Sequence, residues 1–362
     1  MSCQFFITGF PGYIASRLIR DLARKHPGSV FELLVHTSQE GRARASVQEL
    51  CAAGIPENSM RIHVGDITKE GLGLMPAVLG GLGTRLTHVF HLAAVYDLAV
   101  PEAFARSVNV DGTANMNSFV KGCKQLERYV YFSTCYVSGN RVGKILESDL
   151  EKGQGFKNHY ESTKHEAERM VRALMPSIPV TIIRPSIVVG DSKSGETAKY
   201  DGPYFMMRLL GRFRFLPLPY FGKPRVKLNL VPVDYVVEGT VYLAFAAAAA
   251  GKTYHLADPD PLWMVEIYEL IYDAIRGGKP AWTLPVALVK ASLSFRPLRA
   301  IMGVPRELID YYECDALYDT SNAVADLGRA GIKCPSLVDY FPVLVEYFKK
   351  HGSDPDKIIR VK

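Results

Sequence analysis

The stretch QFFITGFPGYIASRLIRDL, Gln4 to Leu22, decides the reading of the chain. Residues 4–9 are an apolar run of strand type, and residues 13–26 repeat apolar side chains at helical spacing. Between them stand Gly9, Pro11 and Gly12, with Tyr13, Ile14 and Ala15 opening the helix. Glycines at a three-residue spacing permit a tight turn and let phosphate oxygens approach the backbone. The helix start then offers free N–H groups and the positive end of its dipole to a pyrophosphate. The plain alternative is a turn that only needs flexible residues. Its place in the first strand–helix unit favours the phosphate reading.

Outward from that turn, the pattern repeats. Strand-like runs occupy 31–37, 60–66, 88–94, 128–134 and 179–186, with helical periods at 102–124 and 160–174. Alternating strand and helix predicts an α/β fold, a Rossmann-type doubly wound parallel sheet covered on both faces. Residues 1–190 are expected to form the dinucleotide-binding domain with the catalytic residues, and 191–362 mainly a smaller C-terminal substrate-binding portion. Strand-like runs at 226–233 and 253–258 are candidates to return to the main domain, and helices are expected at 265–277, 285–301 and 335–349.

Composition narrows the class. The chain has 362 residues, 48% hydrophobic and 22% charged, with net charge +6. No Lys/Arg block forms a nucleic-acid arm, so no nucleic-acid partner is expected. Six cysteines are scattered without a Cys-x-x-Cys, which speaks against a disulfide framework or a metal site and for a reducing, cytoplasmic setting. The first residues lack a signal-peptide pattern, and the apolar run at 243–251 is too short to span a bilayer. Segment 290–308 mixes Lys290, Arg296, Arg299 and Arg306 with apolar residues. A lid over the substrate pocket is the expectation there, and a weak peripheral membrane contact the alternative.

The dinucleotide site needs further groups. The second strand ends in His36, Thr37 and Ser38 rather than a carboxylate, and Arg42 and Arg44 follow. Hydroxyl and guanidinium groups suit a 2′-phosphate, hence NADPH/NADP. Glu40 dissents, and the two arginines would also serve as helix solvation. Asp66, beside Ile67, is placed to accept from an adenine amino group or to cap a turn. After Leu92 stand two small residues, Ala93 and Ala94, which would let the backbone of this segment pass close to a ribose, or a helix pack tightly on the sheet. Pro185, Ile187 and Val188 end the sixth strand, where a turn could pack on a nicotinamide ring.

Catalysis is sought in HYESTKHEAE, residues 159–168. Tyr160 and Lys164, four apart on a helix, share a face. An ammonium there would lower the phenol pKa and let it exchange a proton with a carbonyl oxygen. The fifth strand ends in Ser133 and Thr134, hydroxyls that would complete a polarising pair. Thr134 is favoured over Ser133. Asn109 lies on a helix, where its amide is suited to bridge backbone.

These pieces, in this order, resemble the extended short-chain dehydrogenase/reductase family over roughly residues 4–190. The resemblance implies that Tyr160 handles the proton, Lys164 lowers its pKa and holds the nicotinamide ribose, and the Ser/Thr orients the carbonyl. HVFHLAAVYDL, YESTKHEAE, the stretch from Arg184 to Leu210 and LNLVPVDYVVEGTVYLA further resemble bacterial fatty acyl-CoA reductases, closest to the N-terminal reductase module. The tail 318–347 is similar to thioester reductases. That likeness implies NADPH, lipid metabolism, and a hydrophobic substrate such as a long-chain aldehyde or an acyl chain on CoA or a carrier. A homodimer is one arrangement such relatives adopt. A single module is expected to carry one of two reduction steps. Tyr96, Tyr136, Tyr204 and Met207 are the candidate substrate residues, and Arg208, Arg212 and Arg214 could meet phosphates. The rival readings are a hydroxysteroid or sterol dehydrogenase, a nucleotide-sugar epimerase or dehydratase, and a non-catalytic NADP-binding scaffold. The apolar run 204–221 weighs against a sugar pocket.

Overall fold

The computed structural model describes residues 3–96, 100–221, 226–285, 287–288 and 315–359. Segment 290–308 and Cys314 therefore lie outside the described residues, as does nearly all of the helix expected at 285–301. Seven strands make the main sheet: β1 (Gln4–Thr8), β2 (Val30–Val35), β3 (Met60–Val64), β4 (His88–His91), β5 (Arg128–Phe132), β6 (Val180–Pro185) and β7 (Lys252–Leu256). Their spatial order is β7-β6-β5-β4-β1-β2-β3, and every pairing is parallel. The order reverses direction at β1, whose neighbours are β2 and β4, and such a switch point opens a ligand crevice at the carboxyl ends of the strands.

Helices cover both faces, which is why β5 and β6 are buried at every position. On one face α1 (Tyr13–Lys25), α2 (Glu40–Ala52), α8 (Val233–Phe245) and α10 (Ser321–Gly328) pack Leu18, Leu22, Val47, Val236 and Leu327 against Phe5, Leu33 and Phe90. On the other, α3 (Pro76–Arg85), α5 (Gly112–Lys121) and α6 (His159–Arg172) bring Leu82, Met116, Val120 and Val171 to Phe6, Val89 and Tyr129. A third core joins α7 (Pro203–Arg212), α9 (Met264–Arg276) and α11 (Leu337–His351) through Leu210, Ile271, Phe341 and Leu344.

Several boundaries differ from the sequence expectation for physical reasons. The fourth strand stops at His91 because Leu92 N–H and Ala93 N–H turn to the Thr8 hydroxyl, each at 3.1 Å, instead of continuing the ladder. The helix read at 102–124 is broken. Short α4 (Glu102–Arg106) runs into a π-turn segment, Ser107–Asp111, before α5 begins. Such π-bulges are often placed at functional sites. Of the strand-like run 226–233, only Leu230–Pro232 forms a strand, and it pairs with Ile187–Val189. The run at 253–258 supplies β7, the edge strand beside β6.

Candidate active site

The turn after β1 fits a dinucleotide phosphate. Gly9 has φ +86°, and a Cβ there would lie 2.9 Å from the Leu92 carbonyl carbon and the Ala93 nitrogen. Only glycine tolerates both the conformation and that approach. Gly12 N–H donates to Gly9 O at 2.7 Å and begins α1, whose first turn has neither an acidic residue nor a side-chain cap. A helix start of that kind leaves backbone donors for an anion. Pro11 completes the turn, and Ile14 packs partly buried on the core. Tyr13 gives its hydroxyl to Glu196 O, and Arg17 pairs with Asp191 and Glu196 at 2.7 Å each. The loop after β6 is thereby tied to the start of α1.

At the end of β2, His36 Nδ1 shares a hydrogen bond with Ser38 Oγ at 2.8 Å, and its Nε2 lies 4.0 Å from Asp66. Thr37 and Ser38 form the short helical turn that follows. Burial works to raise the Asp66 pKa, but the Thr68 N–H and hydroxyl, with His36 nearby, hold it below the usual aspartate value. Ile67 is buried, and its carbonyl accepts from Asn115 at 2.8 Å. The two arginines part company. Arg42 is exposed and bonds Gln39 at 3.0 Å, whereas Arg44 pairs with Glu40 at 2.7 Å and lines a groove with Gln48, Glu57, Met60 and Ile62.

Helix α6 carries the candidate catalytic pair. Asn158 caps it, its side chain accepting from Glu161 N–H at 3.0 Å. Tyr160 is partly exposed, and its hydroxyl faces that of Thr134. Burial of the phenol pushes its pKa up to about 12, and the Thr134 contact moderates the rise. Lys164 lies beneath, only 3% exposed. It does not lower the Tyr160 pKa in the way the sequence argument expects. Its ammonium donates instead to Tyr131 OH at 2.9 Å and Phe132 O at 2.6 Å, and it stands 4.4 Å from the centre of the Tyr131 ring. Burial brings Lys164 down to about 7, with Glu168 opposing.

Two hydroxyls that look alike in sequence are separated here. Ser133 gives its proton to Glu168 at 2.5 Å, while Thr134 faces Tyr160 and also accepts from Tyr136 N–H. Glu168 is fully buried, and burial works to raise its pKa. Arg184, Arg172 and the Ser133 hydroxyl hold it down to about 2. Arg184 reaches both Glu168 oxygens at 2.9 and 2.6 Å, and also His255 on β7 at 3.0 Å.

Sequence reasoning left several of these partners without a role. Glu168, Arg184 and Tyr131 are polar groups buried in the layer behind Tyr160. An arginine inside an apolar strand run, TIIRP, was the available signal, since a buried charge needs a partner. Asn109, read from sequence only as a backbone bridge, does bridge. Its amide pairs with Val95 N–H and Val95 O at 2.9 and 3.0 Å, and donates to the Thr163 hydroxyl on α6 at 3.0 Å.

The remaining candidates scatter. Pro185 ends β6, and Ile187 and Val188 belong to the short strand beyond it, packing on separate cores. Leu92, Ala93 and Ala94 are partly exposed beside the Gly9 turn. Tyr96 is 50% exposed and bonds Lys199, and Tyr136 meets the Tyr318 ring edge-on at 6.3 Å. Tyr204 and Met207 depart from the expected pocket wall. They are 1% and 0% exposed, in the core shared by α7, α9 and α11, because the face of α7 that carries them is the one those helices cover. Among the described residues no cluster of His, Cys, Asp or Glu is placed to hold a metal ion, and no helix is long and apolar enough to cross a membrane.

Known proteins share this chain's family and fold. The male sterility protein family matches residues 7–240. An aldehyde reductase of Aspergillus flavus is 25% identical over 372 residues, covering 92% of the chain and 35% of that protein. Fatty acyl-CoA reductase 2, chloroplastic, of Arabidopsis thaliana is 22% identical over 342 residues, covering 75% of the chain and 54% of that protein. The chain thus spans about a third to a half of the length of these relatives. The crystal structure of the terminal R domain from the myxalamid PKS-NRPS biosynthetic pathway superposes with a TM-score of 0.82 at 22% identity, over 97% of the chain and 91% of that domain, a likeness of fold. With its glycine turn at the sheet's switch point and its Tyr–Lys helix behind the fifth strand, the chain belongs to the male sterility protein family of nicotinamide-dinucleotide-binding oxidoreductases, within the extended short-chain dehydrogenase/reductase type.

Proposed function

We propose that the chain is an NADPH-dependent reductase of long-chain aldehydes or of acyl thioesters. The observation that carries this reading is the hydroxyl pair of Thr134 and Tyr160, set over the buried Lys164. Bound NADPH supplies the hydride. Gly9, Gly12 and the start of α1 would hold its pyrophosphate, with Asp66 and the Leu92–Ala94 segment beside its adenosine half. Tyr160, with its pKa near 12, is a phenol at neutral pH and so a proton donor for a carbonyl that is being reduced. Thr134 donates the second hydrogen bond to the same oxygen, where negative charge develops. An aldehyde leaves as alcohol. A thioester loses its thiol and leaves as aldehyde.

The phosphate preference rests on His36, Ser38 and above all Arg42, whose guanidinium has, among the described residues, only the neutral Gln39 as partner. An apolar substrate is supported by the end of α7 and its following loop. There Phe215 is 87% and Leu216 55% exposed, beside half-buried Met206, Phe213 and Leu218. Arg208, Arg212 and Arg214 have no ion pair among the described residues and suit a phosphorylated CoA or carrier arm. The test is NADPH oxidation with decanal, a fatty acyl-CoA and a steroid ketone in parallel. Turnover of the first two supports the reading. Turnover of the steroid alone would replace it with a hydroxysteroid dehydrogenase.

A further inference from the structure

A buried line of polar contacts runs from Lys164 to the dinucleotide turn, and the protons on its Thr8–His91–Thr113 part each have one available direction. Thr8 Oγ1 accepts from Leu92 N–H and Ala93 N–H, so its own proton goes to His91 Nδ1, 2.8 Å away. His91 therefore carries its proton on Nε2 and donates it to Thr113 Oγ1 at 3.2 Å. Thr113 gives its proton to Asn109 O at 2.6 Å, and its oxygen also faces the Tyr131 hydroxyl. Tyr131 in turn accepts from the Lys164 ammonium at 2.9 Å. All five side chains are buried, so no donor has water as a substitute. His91 stays neutral there, because burial and then the nearby Lys164 press its pKa down to about 3.

We propose that Tyr131, Thr113 and His91 are positioning residues that fix the Lys164 ammonium and couple it to the Leu92–Ala93 backbone at the dinucleotide turn. Tyr131 supplies one of the two acceptors that hold the ammonium, and the Phe132 carbonyl supplies the other. The network crosses four elements, β1, β4, α5 and β5, and meets α6 at the lysine. A displacement of the chain beside Gly9 is thereby transmitted to Lys164 without any contact between the two. The inference rests on Lys164 belonging to the catalytic site.

The groups facing Lys164 are Glu168 on its own helix, Tyr131 and the Phe132 carbonyl from β5, and His91 from β4, while Tyr160 acts on Tyr131. Of these, only the Tyr131 hydroxyl is removed by Tyr131→Phe, which keeps the ring under the ammonium. The titration of Lys164 is followed by NMR in protein labelled at the lysine ε-carbon, its resonance identified by loss in Lys164→Met. An acceptor favours the charged lysine, so Tyr131→Phe should move the midpoint down by about one pH unit. Thr113→Val should move it in the same direction and weaken NADPH binding, read by nucleotide fluorescence, about fivefold. Thr113→Ser, which restores the hydroxyl, should keep both values. The double variant Tyr131→Phe/Thr113→Val should shift the midpoint no further than Tyr131→Phe alone. An unmoved Lys164 midpoint in folded Tyr131→Phe overturns the proposal. Should that variant not fold, equal midpoints and equal NADPH affinities in Thr113→Val and Thr113→Ser overturn it. Failure of the wild type to oxidise NADPH with any carbonyl would count against the reductase reading and leave the titration decisive for the relay.

Discussion

Ser133 and Glu168 are held at 2.5 Å, and this one contact sorts two adjacent hydroxyls into different tasks. Thr134→Ala should cut turnover about 10²-fold or more, as loss of a donor to a developing oxyanion does. Ser133→Ala should leave turnover within a few-fold and instead lower stability by about 1–3 kcal/mol, because a buried carboxylate loses a donor. Steady-state kinetics and denaturant unfolding of both variants separate the two roles.

Tyr160→Phe keeps the ring on its partly exposed perch and removes the proton donor. Loss of a general acid typically costs 10²–10⁴-fold in rate. NADPH binding and the unfolding midpoint should stay near wild type. Near-normal turnover in this variant would remove Tyr160 from the mechanism.

Lys164 is an internal cost that the proposed function requires. Its folded pKa, about 7, lies below the ordinary lysine value of 10.5. The unfolded chain therefore binds more protons between those values, and stability should rise with pH across that window through this group. Lys164→Met should abolish activity yet raise stability by a kcal/mol or more near pH 6, with a smaller gain near pH 10. A stability gain independent of pH would contradict the depressed lysine.

Glu168 acts in the opposite sense. Its folded pKa, about 2, lies below the ordinary glutamate value of 4.5, so its contribution is present above the unfolded value and is lost as pH falls from about 4.5 to 2. Acid unfolding should become shallower in that window in Glu168→Gln, which should already be less stable at neutral pH. A wild-type acid profile in the variant would assign acid sensitivity to other carboxylates.

For the cofactor, Arg42→Ala should raise the KM for NADPH about tenfold or more and leave that for NADH nearly unchanged, the size expected for a guanidinium–phosphate contact. Arg44→Ala should do less, because Arg44 is already paired with Glu40. Equal effects on both cofactors would remove Arg42 from the 2′ position.

Much of this was legible in the sequence. The six strand runs stand out because a parallel sheet buried on both faces demands unbroken apolar stretches, as in FFIT and VTII. Gly9, Gly12, Tyr160 and Lys164 are set by local spacing, which sequence displays directly. The layer behind them is different. Glu168 meets Ser133 across 35 residues and Arg184 meets His255 across 71, and no period in the chain links such pairs. The sense of the tyrosine pKa was missed for a related reason. Spacing on α6 puts Tyr160 and Lys164 on one face, but the tertiary acceptors Tyr131 OH and Phe132 O turn the ammonium away. Tyr204 and Met207 looked like pocket wall because the partners that bury them, such as Ile271 and Phe341, arrive much later in the chain.

The place of β7 at the sheet edge has a consequence for biosynthesis. The strand that carries Lys252–Leu256 flanks β6, and its His255 contacts Arg184. A ribosome that has released only residues 1–190 has made the Tyr–Lys helix and the glycine turn, but it presents β6 as a bare hydrogen-bonding edge. Edges of that kind invite pairing with other chains. The nascent protein must therefore remain shielded until some sixty further residues have emerged, which makes the interval between β6 and β7 the stretch of translation where chaperone demand should peak.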